Sequence, residues 1–370
     1  MRLNFNLRHN LLFFSTLLIF LAISSGVFAQ INYTKLYEGK IENMYVTFIL
    51  TVRDTQASAI VHHETGEIYM VGNVVKNRKE LKMEVMDLET GATKESMTAE
   101  ILPEELRILW QAVDAKYLVP YVLKERKADA QKGHLVFESI EYADERIFRA
   151  SKKELGTCSG STKFQCLLPR LPSNPTLDKI LQSNWRKVNG LAQAGSMQAA
   201  IKKYSDDFLK EFIEVNTPSE DFLANYSQEA DHTVLYNDKN ILTMGVFVSS
   251  YTGGAHGNYS SVFYNWDLKT GQELLLEHVI DTLKNSALSK IITQNYKIQN
   301  PDLAEMVFED IKEIGPNENF FVTNEALFFF YNTYEIAPYA AGPSSVKISW
   351  KELKPFLHPN SPFLRFVSPN

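Results

Sequence analysis

The chain has 370 residues, 45% of them hydrophobic and 12% aromatic, with 38 basic and 44 acidic side chains. A formal charge of −6 argues against a nucleic-acid-binding protein, which needs a basic face to release counterions. The length is ample for two packed cores.

Residues 1–29 read as an export signal. Arg2 and Arg8 form a basic start, Leu11 to Phe28 is apolar, and Val27-Phe28-Ala29 offers a small-residue cleavage site. Cleavage would start the mature chain at Gln30 with a charge of −8, because the segment holds two basic residues and no acidic ones. No cysteine follows for a lipid anchor. If uncleaved, the stretch approaches the ~20 residues that span a bilayer, so membrane attachment is expected only in that case. The expected location is periplasmic or extracellular.

Residues 30–127 carry short period-two runs. Leu81-Lys82-Met83-Glu84-Val85 alternates cleanly, and Tyr45 to Val52 and Tyr117 to Lys124 read the same way. Glu64-Thr65-Gly66, Glu89-Thr90-Gly91 and, downstream, Lys269-Thr270-Gly271 place glycine where a hairpin needs a left-handed residue. This predicts an antiparallel β meander or small barrel. His62 and His63 are adjacent, would point to opposite faces of a strand, and are expected on the surface of a hairpin.

Residues 128–165 show few periodic apolar positions and read as a connector. Cys158 and Cys166 are the two cysteines of the chain. In an exported protein they are expected to pair, closing a short loop worth ~2–3 kcal/mol. A zinc site lacks a second cysteine pair or closely spaced histidines.

From residue 166 to 358 helices and strands come in blocks. Thr176 to Val188 and Met197 to Val215 have helical spacing. Thr233 to Tyr236, Ile241 to Tyr251 and Ser260 to Asp267 are β-branched and aromatic. Ala287 to Tyr296 and Leu303 to Ile311 look helical again, and Asn319 to Thr323, Ala326 to Tyr331 and Ser345 to Trp350 return to strand. The expected fold class is α+β, with an antiparallel C-terminal sheet packed with helices. Residues 359–370 are a tail.

Two stretches are unusual. Tyr251-Thr252-Gly253-Gly254-Ala255-His256-Gly257 crowds three glycines, a histidine and an aromatic into seven residues, which marks a constrained turn or a site. His256 reads either as a general base or ligand, or as a histidine that ties the turn by a hydrogen bond. Tyr334-Glu335-Ile336-Ala337-Pro338-Tyr339-Ala340-Ala341-Gly342-Pro343 must turn while its tyrosines pack or anchor a partner. The nucleophile elbow, the H-E-x-x-H motif, the P-loop and the dinucleotide fingerprint are absent. No cofactor or metal is expected. Asp267, Glu277 and Glu335 are carboxylates whose separation the sequence leaves open.

These stretches, with Asn265-Trp266-Asp267-Leu268-Lys269-Thr270-Gly271 between them and Asn319-Phe320 and Tyr331 before the second, resemble a bacterial extracytoplasmic family. It is the RsiV-like domain of unknown function with its PdaC-type companion, and the likeness covers about residues 165–357. The resemblance implies a non-enzymatic cell-envelope binding protein whose ligand is lysozyme or peptidoglycan. Its candidate contacts are Tyr251, Gly253, Gly254, His256, Tyr334, Glu335 and Tyr339. The ten residues before the apolar stretch are too few for a cytoplasmic sigma-binding domain. The alternative expectation is an envelope hydrolase using His256 with a carboxylate such as Asp267.

Overall fold

A computed structural model describes residues 32–42, 44–63, 66–75, 79–86, 93–112, 117–129, 131–150, 156–188, 196–217 and 223–367. The export segment 1–29 and the turn residues at 64–65 and 89–91 lie outside these. Residue contacts divide the chain into two units: residues 128–274 form one, and the described residues before 128 together with those from 275 onward form the other. No helix among the described residues is long and apolar enough to cross a membrane.

The first region is a closed antiparallel barrel of eight strands in sequential order: β1 (Asn32–Ile41), β2 (Met44–Arg53), β3 (Gln56–His63), β4 (Gly66–Val75), β5 (Glu80–Met86), β6 (Thr93–Ile101), β7 (Glu105–Ala112) and β8 (Val119–Glu125). Period-two alternation sends one residue set inward. Tyr37, Phe48, Leu50, Met70, Leu81 and Leu123 are each fully buried in one cluster. Closure comes from β1 against β8 through Tyr37↔Glu125 and Glu38↔Lys124. It is reinforced by Arg126, whose amide donates to the Leu36 carbonyl and whose guanidinium bonds Glu38 and Thr47.

The registers also fix the stagger. A line across the ladder from Tyr33 through Val52, Ala57, Gly72, Met83, Met97 and Trp110 reaches Val119. The closing Tyr37↔Glu125 pair sets Val119 opposite a position ten residues further along β1 than Tyr33. Eight strands with that stagger tilt by roughly 40° and enclose a backbone radius of about 8 Å.

His62 and His63 are both buried, 3% and 2% exposed, which corrects the expectation of a surface hairpin. From Ala59 to His63 strand β3 is buried on both faces, so adjacent positions on opposite faces are both shielded.

The second unit is a six-stranded sheet of order β14-β13-β12-β11-β10-β9. Its elements are β9 (Val136–Arg149), β10 (Thr157–Arg170), α1 (Pro175–Val188), α2 (Met197–Asn216), β11 (Tyr226–Asp238), β12 (Ile241–Tyr251), β13 (Asn258–Asp267) and β14 (Gln272–Glu273). Strand β10 pairs with β11 in parallel, the rest antiparallel. A parallel pair needs a long crossover, and α1 and α2 provide it. Helix α2 starts on Ser196, whose hydroxyl caps the Ala199 amide at 3.1 Å.

The expected connector is therefore a pair of long strands, β9 and β10, joined along their length. The disulfide is corrected with it: Cys158 and Cys166 are free and buried. They lie eight residues apart on one extended strand, about 26 Å at ~3.3 Å per residue, whereas a disulfide needs Cα atoms within ~7 Å. The misleading signal was Ser159-Gly160-Ser161, which reads as a turn. A Cβ on Gly160 would stand 2.6 Å from the Phe212 ring, so glycine is there to let α2 pack onto the strand. Burial pushes the Cys158 thiol up, and the Cys166 thiol up to about 12 with a further push from Asp231. Both thiols are accordingly expected to resist alkylation at neutral pH until denaturant is added, and a reductant should leave the thermal midpoint unchanged. A midpoint lowered by reductant would contradict this arrangement.

The C-terminal segment carries α3 (Leu276–Val279), α4 (Asn285–Gln299), α5 (Pro301–Ala304), β15 (Phe320–Val322), β16 (Ala326–Tyr331), β17 (Ser344–Ser349), α6 (Trp350–Leu353) and α7 (Leu364–Val367). Strands β15, β16 and β17 form an antiparallel sheet. Every residue of β16, Ala-Leu-Phe-Phe-Phe-Tyr, is buried, as a central strand covered on both faces requires. Helix α4 packs Leu288, Ile292 and Tyr296 inward. The helix expected over Leu303 to Ile311 is limited to α5. Beyond it the Phe308 amide leaves the helical ladder and donates to the Ile336 carbonyl at 3.0 Å.

Candidate functional site

Residues 252–257 connect β12, which ends at Tyr251, to β13, beyond the last pair of these two strands, Ser250↔Asn258. Its glycines have separate causes. Gly253 and Gly254 adopt φ of +90° and +97°, which L side chains rarely take. At Gly257 a Cβ would stand 2.9 Å from the Ser250 carbonyl oxygen. The Tyr251 hydroxyl donates to the Gly254 carbonyl at 3.0 Å, and His256, exposed at the tip, has Nδ1 2.9 Å from the Gly257 carbonyl. The turn is thus held by contacts to its own backbone.

Asp267 sits at the far end of the same strand, opposite Ile241. It lies nine positions along β13 from Asn258, about 30 Å at ~3.3 Å per residue. His256 and Asp267 therefore cannot form a general-base pair, which removes Asp267 as the carboxylate partner of His256. Asp267 instead caps the Lys269 amide at 3.1 Å, and its carbonyl accepts from Gly271, whose φ of +73° is the left-handed turn read from Lys-Thr-Gly. Glu277 is exposed on α3. Among the described residues no three His, Cys, Asp or Glu side chains gather as a metal site.

The second stretch lies in the other unit. Tyr334 is 56% exposed and holds φ of +69° without being glycine, a conformation that costs an L residue roughly 1–2 kcal/mol. It is pinned by its amide donating to the Ala337 carbonyl, 3.0 Å. Its ring stands 5.7 Å from that of Tyr339, tilted by 37°. Glu335 is exposed and accepts from the Asn332 side chain at 3.3 Å. Ile336 and Ala337 are buried, so Tyr334 projects from an anchored base beside the half-buried Tyr339. The Phe308–Ile336 bond brings the preceding segment alongside, and Asp302, Glu305, Glu309, Asp310 and Glu313 are all exposed there. Sequence reading missed this acidic border because it took the segment for an ordinary helix.

The comparisons with known proteins follow the same division. Residues 161–259 match the family described as "Deacetylase PdaC", and residues 273–351 match "Protein of unknown function (DUF3298)". The chain carries PdaC-type and DUF3298-type segments. The glycine turn lies in the first and the tyrosine loop in the second. Neither match includes the barrel.

The crystal structure of a DUF3298 family member from Bacteroides fragilis superposes with a TM-score of 0.54 at 24% identity, covering 64% of this chain and all of that one. A DUF3298 family protein from Pseudomonas aeruginosa gives 0.42 at 20% identity, covering 61% and 95%. The first likeness shows a shared fold. No curated protein matches the chain.

Proposed function

We propose that this is an exported, non-enzymatic binding protein of the bacterial cell envelope, periplasmic or extracellular, whose C-terminal segment engages lysozyme or peptidoglycan. One observation carries the reading: Tyr334, held exposed in a strained left-handed conformation against Tyr339. Strain of that kind persists where the surroundings enforce it, and it clusters at ligand contacts. Two rings presented from a buried base lose little side-chain entropy on binding and suit stacking on a sugar face or anchoring in a protein surface. The exposed carboxylates alongside favour a basic protein such as lysozyme over an anionic polymer.

A pull-down of the purified chain on immobilised lysozyme and on insoluble peptidoglycan tests this, with retention expected on at least one and failing in high salt if the acidic border contributes. No retention on either would sink the proposal. Tyr334→Gly is the accompanying variant. Relief of the left-handed strain and loss of the ring contact with Tyr339 nearly cancel, so stability should stay within about 1 kcal/mol. Retention should fall by roughly tenfold or more, as for an aromatic anchor.

A further inference from the structure

The six-stranded sheet of the 128–274 unit has two unlike faces. Alternate residues of β10 meet α2: a Cβ on Gly160 would touch the Phe212 ring, the Thr162 and Ser205 hydroxyls bond at 2.6 Å, and Phe164 meets Tyr204 edge-on at 5.8 Å. Trp185 of α1 covers His232 and Trp266 on the same face. Period two sends the intervening residues the other way. There Ser159, Ser161, Lys163 and Gln165 of β10 are half-buried, and Ala143, Glu145 and Ile147 on the edge strand β9 are exposed. Towards the far end of the sheet Phe263 and Asn265 are buried on this side too, so the wet part is the half next to the glycine turn.

The registers place its charges. Glu145 stands opposite Ser161 and Glu141 opposite Gln165, while Glu229 and Asp231 flank β10 from the other side, opposite Lys163 and Gln165. Two lines of carboxylates therefore run along β9 and β11, about 10 Å apart at ~4.8 Å per strand spacing. Lys163 alone lies between them, and Arg149 stands at the end of β9. Such a surface complements a cation.

Aromatic rings border the carboxylates. Asp231 faces Phe247, and Glu229 faces Ser249, which faces Tyr259. The Phe247 and Tyr259 rings are 6.4 Å apart and tilted by 36°. Tyr251, opposite Ser227, shares this side and is tied to the glycine turn through its bond to the Gly254 carbonyl. The turn thus fixes one border of the face. Between rings and carboxylates stand the small hydroxyls of Ser161, Ser227 and Ser249, able both to donate and to accept. A polypeptide partner favours an apolar centre; here the centre is serine and charge. A sugar chain suits it better, with apolar ring faces for the aromatics and hydroxyls for the serines.

We propose that this face binds a glycan bearing free amines, a deacetylated amino-sugar chain, laid across β10 to β13 with its ammonium groups on the carboxylate lines and its rings against Phe247 and Tyr259. The site belongs to a different unit from the Tyr334 loop and does not depend on it.

Calorimetric titration of the purified chain with the fully deacetylated glucosamine hexamer tests this, at pH about 5.5, above the ordinary carboxylate range. Saturable binding that weakens with salt is expected, and the N-acetylated hexamer, without charge, should bind about tenfold more weakly or worse. Glu229→Gln with Asp231→Asn should cost roughly tenfold, whereas Asp207→Asn with Glu211→Gln, equal in charge but exposed on α2, should change affinity less than about twofold. Tyr259→Leu, which keeps bulk without the flat ring, should cost about threefold or more. Melting temperatures of the variants close to wild type would attribute the losses to the face itself. Absence of saturable binding, or equal loss from the two charge-neutralising pairs, would overturn the proposal. So would binding of hexalysine as tight as that of the sugar, or full binding by Tyr259→Leu.

Discussion

Replacing Gly72 by alanine is expected to destabilise the barrel by about 3 kcal/mol or more, at the upper end of overpacking effects. In an ordinary antiparallel ladder, facing Cβ atoms stand ~4.5–5.5 Å apart. At Gly72 an added Cβ would lie 1.9 Å from the Lys82 carbonyl oxygen and 2.7 Å from Met83 Cα. Both obstacles are backbone of the paired strand β5, so no rotamer change can make room. Glycine here lets the sheet turn a sharp corner. The φ of Gly72 is not left-handed, so the effect is steric and should grow from alanine to valine.

The measurement is hydrogen exchange resolved to peptides, because a chain of two units need not unfold in one step. Amides of β4 and β5 should lose protection first, and β6 and β3 should follow, since a ring opened at one ladder has new edges. Protection unchanged in β4 and β5 would mean the strands separate at little cost, and the corner would not be needed for closure.

What the sequence disclosed and what it hid follow one physical line. Strands β12 and β16 are legible to the residue, because Ile241 to Tyr251 and Ala326 to Tyr331 are rich in β-branched and aromatic residues and bounded by turn residues. The Lys269-Thr270-Gly271 turn was legible because Gly271 answers to a local φ. Gly160 was not legible: its cause is the Phe212 ring, 52 positions away in the chain. The Cys158–Cys166 expectation failed with it, since a glycine needed for close packing resembles a glycine needed for turning. The parallel β10–β11 pairing and the single seam between β1 and β8 are likewise non-local. At the candidate site, the two unusual stretches stood out by composition. The left-handed φ of Tyr334 and the acidic border fixed by the Phe308–Ile336 bond did not, because neither residue type demands those roles.

The second large effect concerns Trp185 on α1. Its ring is fully buried and meets three others edge-on: His232 at 4.9 Å, Trp266 at 5.3 Å and Tyr264 at 5.7 Å between centroids. Each such contact is worth ~0.5–1.5 kcal/mol beyond area burial, and truncating a buried tryptophan costs ~3–5 kcal/mol. Trp185→Ala is therefore expected to destabilise the 128–274 unit by that amount, while Trp185→Phe should cost less because it retains part of the filling.

The consequence should reach the parallel strands. His232 lies on β11, and its Nδ1 accepts from the Leu167 amide on β10 at 3.1 Å, a buried bond across the pairing that the crossover helices make possible. Removing Trp185 frees the His232 ring to turn, so exchange at Leu167 should rise along with that of α1. A loss below about 1 kcal/mol, or faster exchange confined to α1, would show that the helix is held by Leu177 and Leu181 instead and that the aromatic cluster merely fills space.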